Sequence, residues 1–276
     1  MLSFRSFLLG ACIVLGSLFS FLPEARAASL GVEPLLLEIS PNQSAAIRVR
    51  NGSDLDIPVE VFVFRRDVDE DGNQIRVPAD DDFIIFPPQA TIKADKRQVF
   101  RVRPVTVDPS KSTSYYISFS QVPESMESFE GGGAKLQVVF AFDAAVHVVP
   151  RKAEAKPVIR SAALDTMTIT RETGELVAQE DGSQVPITQD VTVPAVTIDM
   201  ENEGNKFLYL HQQAFTATLT GDDGTSQKVV WDTDEVIKAA KVTLLEPTER
   251  RQLKLPLPDG MMAATVDMKV APRPGL

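Results

Sequence analysis

The side chains that could do chemistry in this 276-residue chain are few and poorly spaced for it. Two histidines, His147 and His211, and a single cysteine, Cys12, leave almost nothing from which to build a metal centre on imidazole or thiolate. The run Asp67-Val68-Asp69-Glu70-Asp71-Gly72-Asn73 imitates the opening of a calcium loop, in which carboxylate oxygens converge on one cation. Its twelfth position, where a bidentate Glu belongs, is Pro78, and both flanks have the composition of strands. The run therefore reads as a hairpin loop with an Asp-Gly turn. Asp80-Asp81-Asp82 reads as solvated loop rather than as a ligand set. No G-x-S-x-G elbow and no glycine-rich phosphate loop after a strand is present. The expectation is a protein that is not an enzyme and uses no metal or cofactor. A formal charge of −10 argues against a nucleic-acid partner, whose phosphates require clustered Lys and Arg.

What remains is chemistry of surfaces, and strands must position it. From Leu30 to about Pro150 short runs of alternating polarity are separated by turn signals. Ala46 to Arg50, Val59 to Arg65, Phe83 to Phe86, Gln98 to Arg103, Tyr115 to Val122 and Leu136 to Val149 are the clearest. About seven strands in this length is the count of an immunoglobulin-like sandwich. Arg48 and Arg50 alternate with Ile47 and Val49, as Arg101 and Arg103 do with Phe100 and Val102. In a sandwich that sets these two strands side by side, the four arginines share one outward face. That stripe is either a charged solvent face that discourages edge pairing or a docking surface for an acidic partner.

After Lys152 to Lys156, bracketed by Pro150 and Pro157, the strand-and-turn pattern resumes to Leu276. It includes a hairpin near Glu172 to Val185 and one or two helical turns at Asp234 to Ala240. The expected fold class is all-β, with two immunoglobulin-like β-sandwich domains in tandem, at residues 28–152 and 153–276. Residues 1–27 read as a signal peptide: Arg5 precedes an apolar run from Phe7 to Phe21, and Ala25-Arg26-Ala27 is a cleavage pattern. The expected mature chain is exported to the periplasm and keeps no membrane insertion. Leu9-Gly10-Ala11-Cys12 also imitates a lipoprotein box, but the apolar run continues past Cys12 to a better cleavage site.

The N-terminal half resembles the PapD-like periplasmic chaperones of pilus assembly. The resemblance is carried by the Asn51 turn, Phe86-Pro87-Pro88, Lys96 to Val102, Tyr115 to Pro123, and Leu136 to Phe140 running into Pro150. It implies a chaperone that lends its G strand to subunits lacking a strand of their own, a case of β-strand addition. Period 2 sends alternate side chains into the client's groove, and Leu136, Val138, Phe140 and Phe142 meet that requirement. Burying four such side chains contributes roughly 6–12 kcal/mol before ordering and association costs. The run Val138 to Phe142 is apolar on both faces, unlike an ordinary edge strand. Implied partners are pilus or surface-protein subunits, with an outer-membrane usher to receive them.

The family also holds the client's terminal carboxylate with an arginine on the first strand and a lysine late in the G strand. Here those places fall within Leu35 to Leu37 and at Ala145, so both cations are missing. His147, on the same strand face as Ala145, is the remaining candidate for a polar contact in the cleft, and otherwise a packing residue. The missing cations favour another reading, a structural or adhesive two-domain surface protein. The doubly apolar G strand and Gly131-Gly132-Gly133 before it favour the chaperone.

Overall fold

The computed structural model describes residues 30–69, 73–122, 139–179, 183–261 and 263–274. The expected leader, Cys12 and the first two candidate client residues, Leu136 and Val138, lie outside them. The N-terminal half runs through β1 (Leu30–Glu33), β2 (Leu36–Ile39), β3 (Ala45–Asn51), β4 (Ile57–Val68), β5 (Gln74–Pro78), β6 (Phe83–Phe86), β7 (Gln89–Ile92), β8 (Arg97–Pro104), β9 (Thr113–Gln121) and β10 (Ala141–Val148). One sheet has the order β1-β3-β8-β6, and the other β2-β10-β9-β4-β5, with β7 also on β4. The chain changes sheets between β1 and β2, at Pro34, which breaks the ladder by lacking an N–H.

Alternation decides what each strand buries. Ile47 and Val49 of β3, Phe100 and Val102 of β8, Ile117 and Phe119 of β9, and Ala144 and Val146 of β10 meet in one core. Phe100 and Phe119 touch across the sandwich at 5.1 Å between ring centroids. Ten described strands stand where about seven were expected because β5 and β7 are short edge elements with little apolar pattern and the first strand is divided into β1 and β2 at Pro34. Asp67 and Val68 end β4 in pairs with Ile75 and Gln74 of β5, and Asp69 accepts the Asn73 amide at 2.7 Å. The aspartates after it do more than face water. Asp80 accepts the Val63 amide at 2.8 Å, and Asp82 accepts the Tyr115 hydroxyl at 2.9 Å.

The C-terminal half contains β11 (Pro157–Ala178), β12 (Gln184–Asn202), β13 (Leu208–Tyr209), β14 (Gln213–Thr220), β15 (Ser226–Val230), α1 (Thr233–Ala240), β16 (Leu244–Leu245), β17 (Arg250–Pro256) and β18 (Thr265–Pro272). Two three-stranded sheets, β11-β12-β17 and β15-β14-β18, enclose a core around Ile198, Met200, Phe215, Trp231 and Leu253. Asp232 and Glu235 form a capping box that starts α1. The hairpin expected near Glu172 to Val185 is the outer part of the much longer β11–β12 ribbon.

A buried asparagine closes the same corner in each half. Asn51 donates to the carbonyls of Leu55 and Ile92, and Asn202 to those of Lys206 and Leu245. Gly204, in the second corner, has no room for a side chain: a Cβ there would stand 2.2 Å from the Glu154 carbonyl oxygen. The halves are joined directly, since the Ser112 amide donates to Asn205 O and the Phe207 amide to Ser112 Oγ.

Candidate functional site

The fold leaves one backbone edge half open. β10 pairs antiparallel with β9 over its whole length, from Ala141↔Ser120 to Val148↔Thr113. On its other side β2 covers only the second half, from Ala145↔Leu36 to Val148↔Ile39. The amides of Ala145 and Val149 donate to Leu35 and Ile39, so odd-numbered amides of β10 face β2. By alternation those of Ala141 and Asp143 face the same way, where no strand pairs with them among the described residues. An edge of this kind presents unpaired donors and acceptors to an incoming strand.

The side chains around that edge are apolar. Phe142 is half-buried and packs on the N-terminal core, while Phe140, just before β10, stacks on it at 6.4 Å. Val139 is 44% exposed. Of the four candidate client residues, the structure therefore places two, side by side at the open end of β10. Asp143, on the opposite face, is held by Arg76 at 2.6 Å.

The places where the family carries its two cations are neighbours here, because Ala145 pairs with Leu36. Leu35 and Leu36 are 63% and 56% exposed. The spot is thus an apolar step in itself, although the cleft that Ala145 also lines carries the cations Arg66 and Lys241. His147 is not open to a ligand either. It is 4% exposed, with Nδ1 2.6 Å from Ser114 Oγ and Nε2 2.9 Å from the Tyr209 hydroxyl, and its ring stacks on Phe207 at 4.1 Å. Nδ1 is taken up within the N-terminal sandwich and Nε2 in joining the two halves. Burial, with Arg66 and Lys206 nearby, lowers its pKa to about 4 and keeps the imidazole neutral.

A cleft of about 270 Å³ opens beside it, lined among others by Arg66, Tyr116, Ala145, His147, Tyr209 and Lys241. Close by, burial raises the Glu246 carboxyl to about 7 against the pull of Arg66. The Ser114 hydroxyl and amide pull it the same way as Arg66. Sequence reasoning missed Ser114, which the register of β9 on β10 brings to His147, and Tyr209 and Glu246, whose place depends on how two separate sandwiches dock.

The four arginines of the stripe do share a face. Arg101 stands opposite Ala46 and Phe86, Arg103 opposite Ile84, and Arg48 opposite Val99. Arg97, opposite Arg50, adds a fifth that the alternation could have revealed. None of the five forms an ion pair or side-chain hydrogen bond among the described residues.

Residues 30–154 match the family described as pili and flagellar-assembly chaperone, PapD N-terminal domain. No curated protein matches the chain in sequence. Among solved structures, it resembles a chain from a chaperone–tip adhesin complex of CFA/I fimbriae biogenesis. That match has a TM-score of 0.51 and 10% identity, and covers 88% of this chain and 98% of the other. The class 5 fimbriae chaperone CfaA matches at 0.48 with 11% identity, covering 88% and 98%. The CsuC–CsuE pre-assembly complex of Acinetobacter baumannii matches at 0.45 with 16% identity, covering 88% and 97%. The likeness at 0.51 extends the chaperone fold over both sandwiches.

Proposed function

From the premise that this chain is a divergent PapD-like chaperone of pilus assembly, we propose that it holds its clients by donating the open half of β10. The observation that carries the reading is the half-paired strand: Ala141 to Ala144 have β9 on one side and no described strand on the other. An incoming edge would pair with the backbone there while Phe140, with Val138 and Leu136 before it, enters the client's groove and Phe142 backs it from the chain's own core. The client is a pilus or related surface subunit that lacks one strand of its own sandwich. It is held in the periplasm and passed to an outer-membrane assembly machinery.

The grip relies on apolar side chains and backbone pairing more than on charge. Leu35, Leu36 and Ala145 occupy the family's anchoring place, and His147 is engaged by Ser114 and Tyr209. Co-expression with the secreted products of adjacent genes, followed by purification from the periplasm, tests the proposal. A stable one-to-one complex is expected with at least one of them. Failure with all of them contradicts it and favours a structural or adhesive surface protein.

A further inference from the structure

The arginine face and the outer end of the β11–β12 ribbon are two surfaces that client binding does not use. The ribbon leaves its domain as an arm. Arg171 is tied back to Asp259 at 2.9 Å, and beyond it every residue from Glu172 to Gln179 is exposed. A two-stranded ribbon has little stability of its own in water, so an arm of this length gains from a surface to lie on. Pairing of Thr170 with Asp190, Glu172 with Thr188 and Leu176 with Pro186 sets acidic and apolar side chains on one face. Leu176 is 57% exposed. Glu172, Glu175 and Asp190 form no ion pair among the described residues.

The arginine face is its complement in charge and in kind. Five unpaired arginines surround Ile84, Phe86 and Val99, which are 51%, 70% and 43% exposed. Such a patch, five arginines against one carboxylate at Glu33 opposite Arg48, on a chain of net charge −10, selects a partner surface that is acidic and partly apolar. The arm supplies that surface. From Thr170 to Ala178 it extends roughly 27 Å at the rise of a strand, more than the ~14 Å width of a four-stranded sheet.

We propose that the arm of one copy lies across the arginine face of a second copy, and reciprocally, forming a two-fold dimer. Reciprocity closes the assembly and doubles the buried surface, which brings two modest patches toward the roughly 1,200 Å² of a specific interface. The arrangement leaves the open edge of β10 free and does not depend on the client reading.

Sedimentation velocity on the mature chain across a concentration series is the test. The expected result is a monomer–dimer equilibrium that weakens at high salt, where charge attraction is screened. Arg101→Glu with Arg103→Glu, or Glu172→Arg with Asp190→Arg, is expected to weaken dimerisation about tenfold or more, and combining all four to restore it to within about threefold. All four positions are exposed, so circular dichroism should show each variant folded. A monomer at every concentration overturns the proposal. So does a dimer indifferent to these substitutions, or an arginine face that binds only an acidic protein other than this chain.

Discussion

The two halves of β10 have the same neighbour on one side and opposite fates on the other. From Ala145 to Val148 the strand lies between β9 and β2, with Val146 fully buried and His147 fastened to Ser114 and Tyr209. From Ala141 to Ala144 the same strand loses β2, and its approach, Val139 and Phe140, is partly exposed and apolar. One strand thus serves as a structural member at one end and, among the described residues, an uncovered edge at the other. The difference lies in where a neighbouring strand begins, not in the strand's own propensity.

Substitutions at the two ends should therefore differ in kind. Val146→Asp puts an unpaired charge in the core, at an expected cost of more than about 4 kcal/mol, and should remove the cooperative thermal transition. Ala141→Asp, on the exposed end, should change stability by less than about 0.5 kcal/mol in denaturant titration. Equal losses at the two positions would break the comparison.

Client capture sharpens it. Phe140→Glu should reduce co-purification of a client about 100-fold, by setting a charge in an apolar groove, while the melting temperature of the free chaperone barely moves. His147→Ala should do the reverse. It removes two hydrogen bonds and a ring stack at the junction, costing about 1–3 kcal/mol, and leaves capture within about threefold.

The smallest effect is the pH dependence at the junction. The folded chain binds the His147 proton less tightly than the unfolded chain, so this contribution is present above 6.5 and lost as pH falls toward about 4. Glu246 has the opposite sign: its contribution is full below 4.5 and lost as pH rises to about 7. Between 4.5 and 6.5 the two oppose each other. Glu246→Gln should leave stability rising with pH in that window, and His147→Asn should leave it falling, as read from denaturant midpoints.

Much of this arrangement is legible in the residues, because period-2 alternation is local. Ile47 and Val49 inward with Arg48 and Arg50 outward follow from neighbours in sequence, and the structure keeps every one of those orientations. The helical turns at Asp234 to Ala240 were legible for a similar reason, with their cap three residues away. Partners distant in sequence were not. Nothing near Ser114 announces His147, because the register of β10 on β9 sets that distance, and nothing near His147 announces Tyr209, because docking between two sandwiches sets it. Asp80 and Asp82 read as loop carboxylates because their acceptor roles depend on β4 and β9 lying alongside. The length of the arm was underread for a physical reason as well: its Thr-rich outer strands bury little, so they show no core pattern.

Amide hydrogen exchange along β10, resolved by residue in the free chaperone and in its complex with a co-purified client, tests strand donation most directly. In the free protein Ala145 should already be protected by Leu35, while Ala141 and Asp143 exchange freely. The account predicts that Ala141 and Asp143 become protected in the complex and Ala145 changes little. A complex that forms while Ala141 and Asp143 keep their free-state exchange would contradict it.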